Sequence, residues 1–228
     1  MKSIQVKDVK IEWLGHSGFL ITSQDGKRIA IDPYNISSGI EKADIILITH
    51  PHYDHCSVKD IELLSKEGTE IVIPIGGQSK INRIEGIKIN ISQVGFKLKV
   101  QGINIYSFPA YNINKTFHPK EEDWMGYMLK LDNVIIYHSG DSDKIPEMNN
   151  LVYIAQEGED VILLLPVSGE QVMDANDAAS VVEAVKPALA IPMHYGSGVA
   201  GSEEDAKKFV ALCRGKGIRA EILEKLNG

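Results

Sequence analysis

The sequence predicts an α/β fold in which two β-sheets pack face to face beneath outer helices. Three observations carry that prediction. Short runs rich in β-branched and aromatic residues recur along the chain, each closed by Gly, Asp or Pro. Helical patterns interrupt them at intervals, in two roughly comparable halves. The runs IILI, VII and VILLL are apolar at successive positions, as strands covered on both faces must be.

Strands are expected first at KIEWLG, GFLIT, RIAID, DIILIT and EIVIP. A helix interrupts them: Ser57 can cap it with Asp60 at N3, Val58, Ile61 and Leu64 share an apolar face, and Gly68 closes it. Strand patterns resume at IKINI, FKLKV, INIYSF, GYMLKL, NVIIYH and DVILLLPV. Asp174 opens a second helix with Ala178, Val181, Val182 and Val185 on one face, and Ser202 opens a third with Ala206, Phe209, Val210 and Leu212. ALAIP lies between these helices and RAEIL after them, both as strands. No low-complexity tract or Pro/Gly/Ser-rich linker divides the chain, so residues 1–228 are expected to form a single domain.

A chain of 228 residues with 43% hydrophobic content can bury a full core. A net charge of -7 argues against a surface that grips phosphate backbones, so nucleic acid is not the expected partner and a small molecule is. Homo-oligomer formation is left open by the composition. The two cysteines, Cys56 and Cys213, form no CxxC pair and point to a reducing compartment. The N-terminal stretch has no apolar leader core, and no run approaches the ~18 apolar residues of a membrane span. A cytoplasmic protein with no membrane insertion is the expectation.

Polar residues of ligand type fall repeatedly where apolar strands end: RIAI on Asp32, DIILIT on His50, VIIYHSG on Asp141, ALAIPM on His194. Carboxyl ends of strands hold side chains rigidly at one rim of a layered α/β fold, so four strand ends can meet at one site. The stretch ILITHPHYDHCS is the densest of these, with three of the chain's seven histidines. In extended backbone His50 and His52 project to one side, and the turn through Tyr53 presents Asp54 and His55 beside them. That donor set has room for two metals, and imidazole with carboxylate suits zinc. By chance such a pattern arises in roughly a few chains in ten thousand, which makes a mere polar turn a poor account of it.

THPHYDH is similar to the THxHxDH signature of the metallo-β-lactamase superfamily. The stretches WLGHSGFLI and IDP, then YHSGDSD, LLPVSG with MDANDAA, and IPMHYGSG resemble, in order, landmarks of its cytoplasmic metal-dependent hydrolase branch. That branch includes sugar-phosphate lactonase and N-acyl-phosphatidylethanolamine phospholipase D relatives. The resemblance covers nearly the whole chain and implies a four-layer αβ/βα sandwich with two divalent ions, zinc or else manganese or iron, at one edge. It places His50, His52 and one further histidine on the first metal and Asp54, His55 and His194 on the second, with Asp141 bridging.

One departure stands out. Where relatives carry the third donor to the first metal, this chain reads FPAYN, with Tyr111 or Asn112 at the corresponding position. The nearest substitute is His118, in a long loop that could fold back over the ions or serve instead as a substrate-contacting lid. Lys115 of the same loop could attract a phosphate or carboxylate.

Such a centre makes hydroxide available at neutral pH by lowering the pKa of bound water from about 15.7 to about 7. The activity implied is hydrolysis of an ester, lactone or phosphodiester of a small molecule, with Asp54 binding one ion and orienting the attacking oxygen. His16 and Asp32 would stand behind the ligands, fixing imidazole tautomers or reaching substrate. Tyr195 could offer its hydroxyl to a developing oxyanion. No G-x-S-x-G elbow is present, and Cys56 reads as a buried thiol beside the cluster. Two other classes stay open: a non-catalytic or atypical metal-binding module, suggested by the missing histidine, and a diiron redox protein. The redox relatives resemble a pattern with Glu where this chain has His52, and they carry a flavin domain.

Overall fold

The computed structural model describes residues 1–227. Its first sheet holds seven strands in sequence order: β1 (Ser3–Val6), β2 (Val9–Gly15), β3 (Gly18–Thr22), β4 (Arg28–Ile31), β5 (Ile45–Leu47), β6 (Glu70–Pro74) and β7 (Lys88–Ser92). Between them lie helices α1 (Val58–Leu64) and α2 (Gln78–Ile81). The second sheet is formed by β8 (Lys97–Val100), β9 (Ile103–Pro109), β10 (Met125–Leu131), β11 (Val134–His138), β12 (Asp160–Pro166) and β13 (Leu189–Met193), with α3 (Ala175–Val185) and α4 (Glu203–Gly215). Each sheet begins antiparallel and ends parallel: β4 to β7 in the first, β11 to β13 in the second.

The period of two along each strand explains the layering. Ile45 and Leu47 of β5 join a core shared with Leu129 and Ile136 of the second sheet, whereas Ile46 and Ile48 pack with Ile61 and Leu64 of α1. Both faces are covered, which is why the segment reads as an unbroken apolar run. On the far side Ala178 and Val182 of α3 and Phe209 of α4 close over the second sheet. The expected αβ/βα sandwich is the observed fold. Among the described residues no helix is long and apolar enough to cross a membrane.

Three local expectations are corrected. RAEIL makes no strand: Ala220 forms an isolated bridge to Ala190, after which the chain bends away so that Leu226 N donates to Trp13 O at 2.7 Å. Ser57 starts α1 without a capping box, because its hydroxyl donates to Asp60 at 2.6 Å while Asp60 accepts the Asn35 and Ile36 amides at 2.8 and 3.1 Å. The acid ties the loop after β4 to the helix instead of capping it. Helix α1 also stops at Leu64, short of Gly68. Asp174 and Ser202 do start α3 and α4, the first accepting from the amides of Asn176 and Asp177, the second through a full capping box with Asp205. Strand β1, the short α2 and a 3-10 stretch at Pro146–Tyr153 had no clear sequence pattern.

Candidate metal centre

Parallel strands β4, β5, β11 and β13 all deliver their carboxyl ends to one rim, and with them Asp32, His50, Asp141 and His194. The turns that follow are tight. Gly140 adopts φ +60°, and a Cβ there would stand 2.8 Å from Met125 O, so only glycine brings the chain round to Asp141. His16, Asp32 and His194 have φ of 53°, 42° and 60°, a left-handed region that costs a non-glycine residue about 1 kcal/mol or more. Local hydrogen bonds hold them there, His194 N to His16 O and Asp32 N to Leu47 O, each 3.0 Å.

The buried Asp141 is the hub. Its Oδ2 lies 3.2 Å from His55 Nε2, 3.3 Å from His118 Nε2, 3.0 Å from His194 Nε2 and 3.9 Å from His50 Nε2. Donor atoms of His50, His52 and His118 fall within 4.8 Å of one another on one side, and those of His16, Asp54, His55 and His194 do so on the other. The six positions expected as ligands therefore converge, and His118 joins them. Loop 111–124 brings it in: Asn112 N donates to His118 O at 2.7 Å, and Asn112 Oδ1 accepts His118 N at 3.1 Å.

His50, His55, His118 and His194 are each anchored on the outer nitrogen, whereas His52 Nδ1 lies 3.0 Å from His50 Nε2. His50 Nδ1 meets Thr49 Oγ1 at 2.9 Å, and that hydroxyl donates to Asp32 at 2.6 Å. His55 Nδ1 donates to the same Asp32 at 2.8 Å. His118 Nδ1 reaches Gln171 O at 3.0 Å and Asn112 Oδ1 at 3.1 Å, while His194 Nδ1 meets Ser168 Oγ at 2.9 Å. With the ring protons outside, bare Nε2 lone pairs face a carboxylate oxygen. The Nε2 atoms of His55, His118 and His194, together with Asp141 Oδ1, are buried with no hydrogen-bond partner. Lone pairs facing a carboxylate repel unless a cation lies between them, so the donor set fits divalent metal. Asp32 spends its oxygens on Thr49 and His55 and acts as a brace behind one histidine of each subsite.

The charges report the same need. Burial would lower the basicity of His55, but Asp141 and Asp32 outweigh it and hold its pKa well above the usual value. Burial would raise Asp141, but His194 and His55 hold it well below the carboxylate range. Burial together with neighbouring imidazoles keeps His50 well below its ordinary value.

His16 Nε2 donates to Asp54 Oδ2 at 2.9 Å and its Nδ1 accepts from Ser197 Oγ at 2.9 Å, so it holds Asp54 in place. Tyr195 stacks on Trp13 with ring centroids 4.8 Å apart and is buried. Cys56 is buried, which pushes its thiol up to about 11 and leaves little thiolate at neutral pH. Lys115 is engaged: its ammonium pairs with Asp143 and donates to Val172 O at 2.8 Å, contrary to the picture of a free anion lure. Sequence reasoning missed Thr49, Ser168 and Ser197. Each lies next to, or in a loop beside, a site histidine, and hydroxyl residues within THPHYDH, PVSG and HYGSG were the available signal.

The beta-lactamase superfamily domain matches residues 10–194. The chain belongs to that superfamily. It is 32% identical to a UPF0173 metal-dependent hydrolase of Thermococcus kodakarensis, over 94% of this chain and 95% of that one, and so belongs to the UPF0173 family. A crystal structure from Parabacteroides distasonis, of a protein provisionally named a metal-dependent hydrolase, superposes with a TM-score of 0.80 at 28% identity, covering 99% and 98% of the two chains. A metallo hydrolase of Ignicoccus hospitalis shares the fold at a TM-score of 0.75 and 23% identity, over 95% of each chain.

Proposed function

We propose that this UPF0173 member hydrolyses an ester, lactone or phosphodiester of a small molecule, using two divalent ions of which zinc best matches the donors. The observation that carries the reading is the set of inward, unpartnered Nε2 atoms around Asp141, each ring anchored from behind. His50, His52 and His118 would hold one ion, Asp54, His55 and His194 the other, and Asp141 would span both. Bound ions would supply Lewis acidity and lower the pKa of a coordinated water to about 7.

The chain's own groups do the rest. Asp54 is held ionised, because the hydrogen bond from His16 and the His55 ring 3.5 Å away outweigh the effect of burial. It can orient a water by accepting a hydrogen bond, with its own direction fixed by the His16 contact. Asp32 keeps both His50 and His55 in the tautomer that leaves Nε2 free. No serine or cysteine nucleophile enters, and Cys56 stays protonated.

The non-catalytic alternative rested on a missing third histidine, and His118 now lies beside His50 and His52. Asp54→Asn should leave the fold and at least one bound ion intact while reducing hydrolysis by about 100-fold or more. Circular dichroism, metal analysis and a screen of neutral esters, lactones and bis-aryl phosphodiesters check this. Unchanged turnover removes Asp54 from the mechanism, and tight metal with no turnover on any substrate by the unsubstituted protein overturns the hydrolase reading.

A further inference from the structure

Beside the second subsite lies a cavity of about 500 Å³, within the range of roughly 300–1,000 Å³ usual for small-molecule sites. His16 and Tyr195 to Ser197 form its inner wall, so it backs directly onto the loops that carry His16 and His194. Apolar side chains supply rather more of its lining than polar ones: Trp13, Tyr34, Tyr195, Ala206, Ile222 and Leu223. Tyr34 stands between the cavity and the metal loop, edge-on to His16 at 5.8 Å and to Tyr53 at 5.9 Å.

The charged residues around the cavity balance and are engaged. Glu203 and Lys207 are 4.0 Å apart, and Lys207 also pairs with Glu204 at 2.6 Å. Glu224 takes the Met1 amino group. The ammonium of Lys225 donates to Asn35 O at 2.7 Å, and its methylenes run along Gly15, where a Cβ would stand 3.0 Å from Lys225 Cε. No uncompensated cluster is left to recruit a phosphate, and Lys115 is paired as well.

We propose that this cavity receives an uncharged, ring-sized apolar group of the substrate, whose scissile bond then reaches past Tyr34 to Asp54. The inference rests on the hydrolase reading and narrows it, favouring neutral esters or lactones with an aromatic or alkyl tail over nucleotide-like phosphodiesters.

The chain's two tryptophans separate the two places. Trp13 lines the cavity and donates its indole N–H to His16 O at 3.0 Å, whereas Trp124 packs 5.0 Å from His50. In zinc-loaded protein with ¹⁵N-labelled indoles, assigned with Trp124→Phe, benzyl alcohol should shift the Trp13 signal saturably and leave Trp124 unmoved. Benzyl phosphate should bind there at least tenfold more weakly. Ala206→Leu should weaken benzyl alcohol at least tenfold with unchanged zinc content. Should that variant not fold, nuclear Overhauser contacts from the benzyl ring to the Ile222 methyls decide the matter in the unsubstituted protein. A silent Trp13, absent contacts, or benzyl phosphate binding as well as the alcohol overturns the assignment. Because binding is read without turnover, a responsive Trp13 in a protein inert towards every ester, lactone and phosphodiester of the screen sinks the hydrolase reading alone, and hydrolysis with a silent Trp13 sinks the cavity alone.

Discussion

His194 and His118 place Nε2 atoms 3.0 and 3.3 Å from the same oxygen of Asp141, yet they reach it by different routes. His194 follows β13 directly, and strand pairing with β12 sets its position to within a residue. His118 hangs in a loop of fourteen positions, YNINKTFHPKEEDW from Tyr111 to Trp124, whose one regular element is a 3-10 turn at Lys120–Glu122, and is fixed by side-chain and carbonyl contacts. The second subsite is therefore built by a strand end and the tight turn after β5, the first partly by a long loop. Rigid delivery favours tight, early binding of the second ion. The first ion should depend on how well the loop is tied down: Tyr111 to Glu147 at 2.9 Å, Lys115 to Asp143, and Asn112 to Gln171 O at 2.9 Å.

The comparison breaks most completely if its shared member is removed. Asp141→Asn keeps the shape but removes the negative charge on which four imidazole nitrogens converge. We expect both ions to weaken and hydrolysis to fall to background, a loss of at least about 100-fold. Titration of zinc by calorimetry, together with turnover, checks it. Should one ion still bind with its original affinity, Asp141 belongs to a single subsite and does not bridge.

The next effect is one-sided. His118→Ala should lower the zinc content from about two per chain to about one, with the remaining ion as tight as before, because the second subsite keeps all its own donors. Retention of both ions at full affinity removes His118 from the ligand set and leaves it as a loop residue over the centre. Loss of both would show that the second subsite is not independent of the loop.

The same contrast explains what could be read from residues alone. Strand ends are legible because a period of two and a terminal turn fix where Asp32, His50, Asp141 and His194 project, and the rim they form followed from those patterns. His118 was not legible in that way. Its place depends on contacts across more than 50 positions, such as its Nδ1 to Gln171 O, and no local periodicity encodes them. Asn112 is the instructive case: judged as a donor it is a defect, whereas in the fold it holds the His118 ring beside His50 and His52. Ser57 misled for a related reason, since a capping box and a tertiary contact through Asp60 use the same residues, and the loop amides of Asn35 and Ile36 won.

The smallest effects separate the routes most sharply. Asn112→Ala removes the acceptor at His118 Nδ1 and the donor to Gln171 O, whereas Ser168→Ala removes the hydroxyl behind His194 Nδ1. Loss of such an outer partner costs about 10- to 100-fold in metal affinity. The Asn112 variant should show that loss at the weaker ion alone and the Ser168 variant at the tighter ion alone. The two need not be equal. Removing Asn112 also frees the His118 backbone N–H and loosens the loop, so its loss should lie at the upper end of the range, while His194 stays held by its strand and by its own amide bond to His16 O. Two-site calorimetric titrations of both variants test this: if the Ser168 variant loses more, or if either variant weakens both ions equally, the division between the second subsite and the partly loop-built first is wrong.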